Sequence, residues 1–365
     1  MRKALGLIFL VMFVGVSAFS AKEQSWNSMM TSFIEPLREI YSVDLNKKKF
    51  TEAEKETIQK GIKKIKSATH KMRISFVSFF SRKDPAVKSK YKEFLRNLDH
   101  ADKSLMASPQ KSIYYLKNTF VQCASCHSDG GKSTKFFSLF DGVSMPAADK
   151  GRLAMALRDF DASTSVYRSL VLDKKNHENI FVFNKYLINY LNSAILGETK
   201  KEVIVTDLKE LKKKLGEKFI AKNLDEKIKD VQSFKEFESV EEAIFKYKKL
   251  EETVDQVYQQ MYTVLSVKNY LHAHLKGIKD KKILAESHMI LGDIYNQFVE
   301  ISVFMVSERN YEICVETLPE SDIAKTCLDK YVKSIVLGYS GSAGTNVPLF
   351  EKEKIERLKK LIFKN

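Results

Sequence analysis

With 365 residues, 44% of them hydrophobic, the chain can fill two cores of ordinary size. Its 61 Lys and Arg against 46 Asp and Glu leave a formal charge of +15, and the basic residues occur along the whole chain, as at 212–214 and 279–282, rather than gathered in one arm. No nucleic-acid module is recognisable, which sets that partner aside; a basic surface suits acidic protein partners or anionic membranes, or simply solvates helix faces.

Arg2 and Lys3 precede an apolar run from Ala4 to Val16, and small residues follow at Ser17, Ala18, Ser20 and Ala21. A basic start, a short apolar stretch and a small-residue cleavage site read as a secretory signal peptide over residues 1–20. The run is shorter than the ~20 residues that span a bilayer. No cysteine follows it to carry a lipid, and no later segment is apolar for long enough to cross a membrane. An exported, soluble protein with at most peripheral membrane association is expected.

Beyond the leader the chain reads as all-α. Only 14 Gly and 6 Pro occur, apolar residues recur every three or four positions, and no alternating strand pattern is sustained. The first helix carries Trp26, Met30, Phe33, Leu37 and Ile40 on one stripe, with Pro36 expected to kink it or shift its ladder. A capping box of Thr51 and Glu54 opens the second, which continues through Ile58, Ile62, Ile65, Met72 and Phe76. Asp84-Pro85 starts a third, along Val87, Tyr91, Phe94, Leu98 and Leu105, and Ser108-Pro109 starts a fourth. Four helices of similar length with short loops predict an antiparallel four-helix bundle over residues 21–135.

Asp129-Gly130-Gly131, Asp141-Gly142 and Pro146 then break the pattern, so residues 136–150 are expected to join two domains. Helical patterning resumes over residues 151–365. Leu291-Gly292 with Tyr295 three residues on fits the first helix of a tetratricopeptide repeat, and Ala156–Tyr167 looks like the second half of such a unit. No clean 34-residue period is visible, so the expectation is stacked helical hairpins, tetratricopeptide-like.

The chemistry lies in Cys123-Ala124-Ser125-Cys126-His127, the C-x-x-C-H sequence that attaches haem c. Two thiols three residues apart on a helical turn each reach a vinyl group of one porphyrin, and the next histidine lies beneath the iron. A redox C-x-x-C wants a thioredoxin-like βαβ context that an all-helical chain lacks. A zinc site wants two more ligands, and Cys314 and Cys327 are far off with the wrong spacing. Ile113, Leu116, Phe120, Cys123 and His127 fall at steps of three and four, a stripe that turns His127 into the bundle core. One covalent haem between the bundle helices is expected.

On these residues the first domain resembles the class II c-type cytochromes, the cytochrome c′ family, and also the soluble periplasmic four-helix b-type cytochrome. The resemblance implies a haem histidine on the last helix and an iron whose other face looks at the first helix. Where a sixth ligand exists in those relatives it is a Met there, followed by apolar residues at three, seven and ten positions on. Met30, Phe33, Leu37 and Ile40 reproduce that series, making Met30 the candidate distal ligand; the same steps from Met29 land on Ser32, Pro36 and Glu39, so Met29 comes second and Met145 third. His70 and His100 lie beside their apolar stripes and are expected at the surface.

Cys314 and Cys327 flank Leu318-Pro319-Glu320-Ser321, a helix break at their midpoint, so they should face each other across a hairpin and form a disulfide in an oxidising compartment. The Gly/Ser-rich stretch 338–348 has no lysine in P-loop register and reads as a loop. With the Cys pair upstream, it resembles the C-terminal end of helical-repeat domains fused to c-type cytochromes in Gram-negative bacteria. His272 and His274 are two residues apart on a helix and point to different faces, which argues against a metal site. Nothing has the spacing of a nucleophile–base pair. The implied function is a periplasmic monohaem electron carrier, not an enzyme, docked on a redox protein partner of acidic surface through its helical-repeat domain. The rivals are a five-coordinate haem protein binding a gas such as nitric oxide, and an interaction scaffold with a structural haem.

Overall fold

The computed structural model describes residues 32–45, 47–79, 85–116, 119, 145–216, 219–251, 254–298, 301, 306–341, 344–347 and 349–363. They fall into two compact units, one ending at Thr119 and taking in Met145, the other running from Pro146 onward. Both are helical, and among the described residues no helix is long and apolar enough to cross a membrane. Residues 1–20, expected to be a leader, and residues 120–144 lie outside the described residues.

The first unit contains helical segments α1 (32–41), α2 (Glu52–Phe79), α3 (Pro85–Ser104) and α4 (109–116). Their sequence signals work as read. The Thr51 amide donates to Glu54 Oε2 at 2.9 Å while the Glu54 amide donates to Thr51 Oγ1 at 3.2 Å, which satisfies two donors at the start of α2 reciprocally. Buried residues follow helical spacing: Ile34, Leu37 and Ile40 on α1; Ile58, Ile62, Ile65 and Thr69 on α2; Leu98 and Ala101 on α3; Ser112, Ile113 and Leu116 on α4. Each such large apolar side chain contributes about 1.5–3 kcal/mol when fully removed from water. Helix α1 runs through Pro36, which is itself buried. Opposite it stands Gly61 of α2, where a Cβ would run into the Ile40 side chain and come within 3.0 Å of the Pro36 carbonyl. Glycine there lets the two helices close. Lys66 ties α2 to α3 through Asp99 at 2.6 Å and Asp102 at 3.0 Å, and Ser112 Oγ ties α4 to α3 through the Ala101 carbonyl at 2.6 Å. Phe33 meets Phe94 edge-on, with centroids 6.5 Å apart, and links α1 to α3.

The second unit opens with α5 (Ala147–Ala156), α6 (Phe160–Leu172), α7 (Ile180–Leu196), α8 (Lys201–Leu215) and α9 (Phe219–Ser233). Helix α5 therefore starts inside the stretch expected to be a join. The segment Ala156–Tyr167, read as one half-repeat, instead straddles a turn. Arg158 adopts φ 60° there, and Asp159 accepts from the Ala162 amide at 3.2 Å to start α6. A left-handed residue followed by a capping carboxylate stops one helix and starts the next, a pairing that apolar spacing does not reveal. The chain continues with α10 (Val240–Glu251), α11 (Val254–Gln259), α12 (Met261–His274), α13 (Lys281–Gln297), α14 (Val306–Thr317), α15 (Asp322–Gly338) and α16 (Leu349–Ile362). Helix α12 packs against α7, α9, α10 and α13, and every residue from Met261 to Lys268 is buried. Ile290, Leu291 and Ile294 of α13 face this core, whereas Ala285 joins a second core built from α14, α15 and α16.

The Gly/Ser-rich stretch is more ordered than a plain loop. Ser340–Gly341 and Gly344–Thr345 pair as two short antiparallel strands, β1 and β2, with Gly344 at φ +99°. Only glycine takes that angle readily, so the tight reversal needs it.

Candidate functional site

Cys123, Cys126 and His127 lie outside the described residues, as do Met30 and Met29. The elements leading to them are described. On α4 the expected inward stripe holds where it can be read: Ile113 is 5% exposed and Leu116 0%, with Thr119 also buried. On α1 the positions seven and ten beyond Met30, Leu37 and Ile40, are buried, and Phe33 is half-buried against Phe94. Met145 is half-buried just before α5. His100 is exposed and stacks on Tyr115 with centroids 4.9 Å apart, in keeping with a surface position. The side chain of His70 lies outside the described residues.

Cys314 and Cys327 are brought together. Their sulfurs are 2.01 Å apart, both residues are fully buried, and they bridge α14 to α15 across the turn at Glu320, whose φ is 65°. His272 and His274 do point apart. His272 Nε2 bonds the Tyr295 hydroxyl at 2.8 Å, whereas His274 stacks on Tyr270 and bonds its carbonyl through Nδ1 at 2.8 Å. Among the described residues no group of three metal-binding side chains converges.

The second unit holds polar groups that sequence reasoning missed. Helix α12 begins at Gln260, which makes no side-chain cap. Its first amides are met by Asp230 of α9, which accepts from the Thr263 amide at 3.1 Å and from the Thr263 hydroxyl. Burial pushes the Asp230 carboxyl up to about 6, against the opposing pull of the Thr263 and Tyr262 donors. Burial likewise pushes Asp293 to about 6, although Lys330 Nζ at 2.7 Å and the Tyr311 hydroxyl at 2.8 Å hold its charged form. Lys330 reaches Glu251 too, at 3.1 Å, so α10, α13, α14 and α15 meet in one network. Lys268, 1% exposed, donates to Asn192 Oδ1 at 2.6 Å and lies over the Tyr295 ring. These groups are internally satisfied, and their chemistry is that of cross-braces between helices. The sequence-level signal for them was a charged residue at a position the helical period places inside, as with Asp230, Lys268 and Asp293.

No protein-family model matches the chain, and neither a curated protein nor a solved structure does.

Proposed function

We propose that the protein is an exported monohaem c-type cytochrome carrying one electron at a time, its haem bound through Cys123 and Cys126 with His127 on the iron. The observation that carries this reading is the C-x-x-C-H run after a helix whose Ile113–Leu116 face is buried, in a chain whose other two of 4 cysteines are bonded to each other. That bond takes Cys314 and Cys327 out of any zinc site with Cys123 and Cys126. The described residues also lack the βαβ context of a thioredoxin-type pair, their only strands being two residues long. A disulfide suits the oxidising compartment to which a leader at 1–20 would send the chain.

The donor set fits a haem: Cys123 and Cys126 would hold it through thioether bonds, and His127 and Met30 would hold its iron. When bound, that haem supplies one-electron Fe(III)/Fe(II) cycling. In this reading α1 to α4 are a four-helix bundle. Met30, whose spacing continues to Phe33, Leu37 and Ile40, would be the second residue to hold the iron and would leave no room there for an exogenous ligand. The second unit is a stack of tetratricopeptide-like hairpins that docks the carrier on a redox protein. Two close approaches support the stack: Gly151 lies against the Tyr167 ring in the α5–α6 hairpin, and Gly292 against the Tyr311 ring in α13–α14. In each a glycine lets a facing helix approach over an aromatic ring.

The test is the absorption spectrum of the processed protein, ferric and ferrous, with and without carbon monoxide. Haem that stays with the chain through denaturing electrophoresis, and is lost in Cys123→Ser/Cys126→Ser, is the expected result. Met30→Ala should turn a low-spin ferric spectrum high-spin and admit carbon monoxide. A parent protein already high-spin and carbon-monoxide-binding would favour a gas-binding role, and a protein free of covalent haem after export would end the cytochrome reading.

A further inference from the structure

We propose that the end of the first unit formed by residues 42–50 and 105–111 seats the protein on an anionic lipid surface. The charge of the chain is not evenly shared. Residues 21–120 hold 21 Lys and Arg against 11 Asp and Glu, a net +10 of the +13 carried by the chain from Ala21 onward. Within that unit most described carboxylates are already engaged: Glu39 with Lys64, Glu52 with Lys55, Glu54 with Lys47, and Asp99 and Asp102 with Lys66. What is left over is cationic, and part of it is gathered in one place.

The Gln110 side-chain amide donates to the Lys48 carbonyl, which pins the loop before α2 against the start of α4. Lys48, Lys49 and Lys111 are thereby brought to one end of the unit, all exposed, and none of them forms an ion pair among the described residues. Asp44 is the remaining carboxylate on that loop. Beside the lysines stand two apolar side chains turned to water. Met106 is 52% exposed in the turn before α4, and Tyr114, one helical turn beyond Lys111, is 62% exposed.

Exposed lysines together with an exposed thioether and an amphipathic aromatic ring suit the headgroup layer of a membrane. There the ammonium groups meet lipid phosphates while Met106 and Tyr114 sit at the acyl boundary. What favours lipid over an acidic protein is the exposed apolar pair, Met106 and Tyr114, beside the lysines: an acyl boundary accepts both, whereas an acidic protein surface would need the charges alone. The lipid contact stands with or without the haem.

The test uses the chain from Ala21 onward, so that the apolar run before it cannot itself insert, in co-sedimentation with phosphatidylcholine vesicles and with phosphatidylcholine–phosphatidylglycerol vesicles. Binding is expected to the mixed vesicles alone and to fall as sodium chloride is raised. Lys48→Ala/Lys49→Ala/Lys111→Ala, with unchanged circular dichroism, should bind about a hundredfold more weakly, from about fivefold per lysine. The three matching Lys→Arg changes should bind like the parent. Lys279→Ala/Lys281→Ala/Lys282→Ala removes the same charge from the second unit and should leave binding within about twofold. Equal binding to neutral vesicles, or a Lys48/Lys49/Lys111 variant that binds like the parent, would overturn the proposal. So would capture by polyglutamate with no vesicle binding, which would assign this end to an acidic protein.

Discussion

Asp230 poses a contest between two effects of opposite sign, and pH resolves it. Its carboxylate accepts from the Thr263 amide and hydroxyl and from the Tyr262 amide, and it sits at the positive end of α12; all of this favours the charged form. Against them stands burial, with the residue only 4% exposed, and burial wins: the pKa rises from 3.8 to about 6. A carboxyl whose pKa is raised on folding makes the native state bind more protons than the unfolded chain, so stability falls as pH climbs from about 4 through about 6. Between pH 7.5 and 5 the folded protein should gain about 1.4 kcal/mol from this group alone, the worth of about one extra proton bound across one pH interval. Asp230→Asn keeps an acceptor oxygen facing Thr263 and cannot ionise, so it should lose that gain. Asp230→Ala strands the Thr263 donors and should cost about 2–4 kcal/mol at both pH values. Urea unfolding followed by circular dichroism at pH 7.5 and 5, on parent and variants, measures the difference between the two pH dependences and so cancels every other titrating group. An Asp230→Asn protein with the parent's full pH dependence would refute the burial argument. A parent that loses stability relative to Asp230→Asn on acidification would show that the hydrogen bonds outweigh burial.

The Cys314–Cys327 bond closes a loop with a sequence separation of 13, for which chain entropy predicts about 3 kcal/mol of stabilisation. Reduction, or Cys314→Ser/Cys327→Ser, should lower the melting temperature of the second unit, and alkylation with mass measurement should find neither thiol free in the unreduced protein. A Cβ at Gly292 would run into the Tyr311 ring, so Gly292→Ala should destabilise by about 1–3 kcal/mol through overpacking. At Gly277 a Cβ would meet nothing within 4 Å, so Gly277→Ala should be close to neutral in the same thermal melts.

Much of the helical plan was legible because it rests on local chemistry. The Thr51–Glu54 box, the starts at Pro85 and Pro109, and the apolar faces of α1, α2 and α4 each depend on residues a few positions apart. The Cys314–Cys327 pair was legible for a related reason: a turn halfway between two thiols on antiparallel helices places them opposite each other. The break at Arg158 was not, since a left-handed arginine has no sequence signature of its own. Nor was the strand pair at 340–345, because two residues are too few for an alternation to register.

What the sequence by itself determined is the helical class and the hairpin disulfide, both written in spacings shorter than about four helical turns. What only the tertiary structure decided is which distant side chain satisfies a buried polar end. Asp230 caps α12 from another helix, Lys330 joins Asp293 to Glu251, and Gln110 draws Lys111 to Lys48. A buried donor or acceptor must find a partner wherever the fold brings one within about 3 Å, and separation along the chain places no limit on that choice.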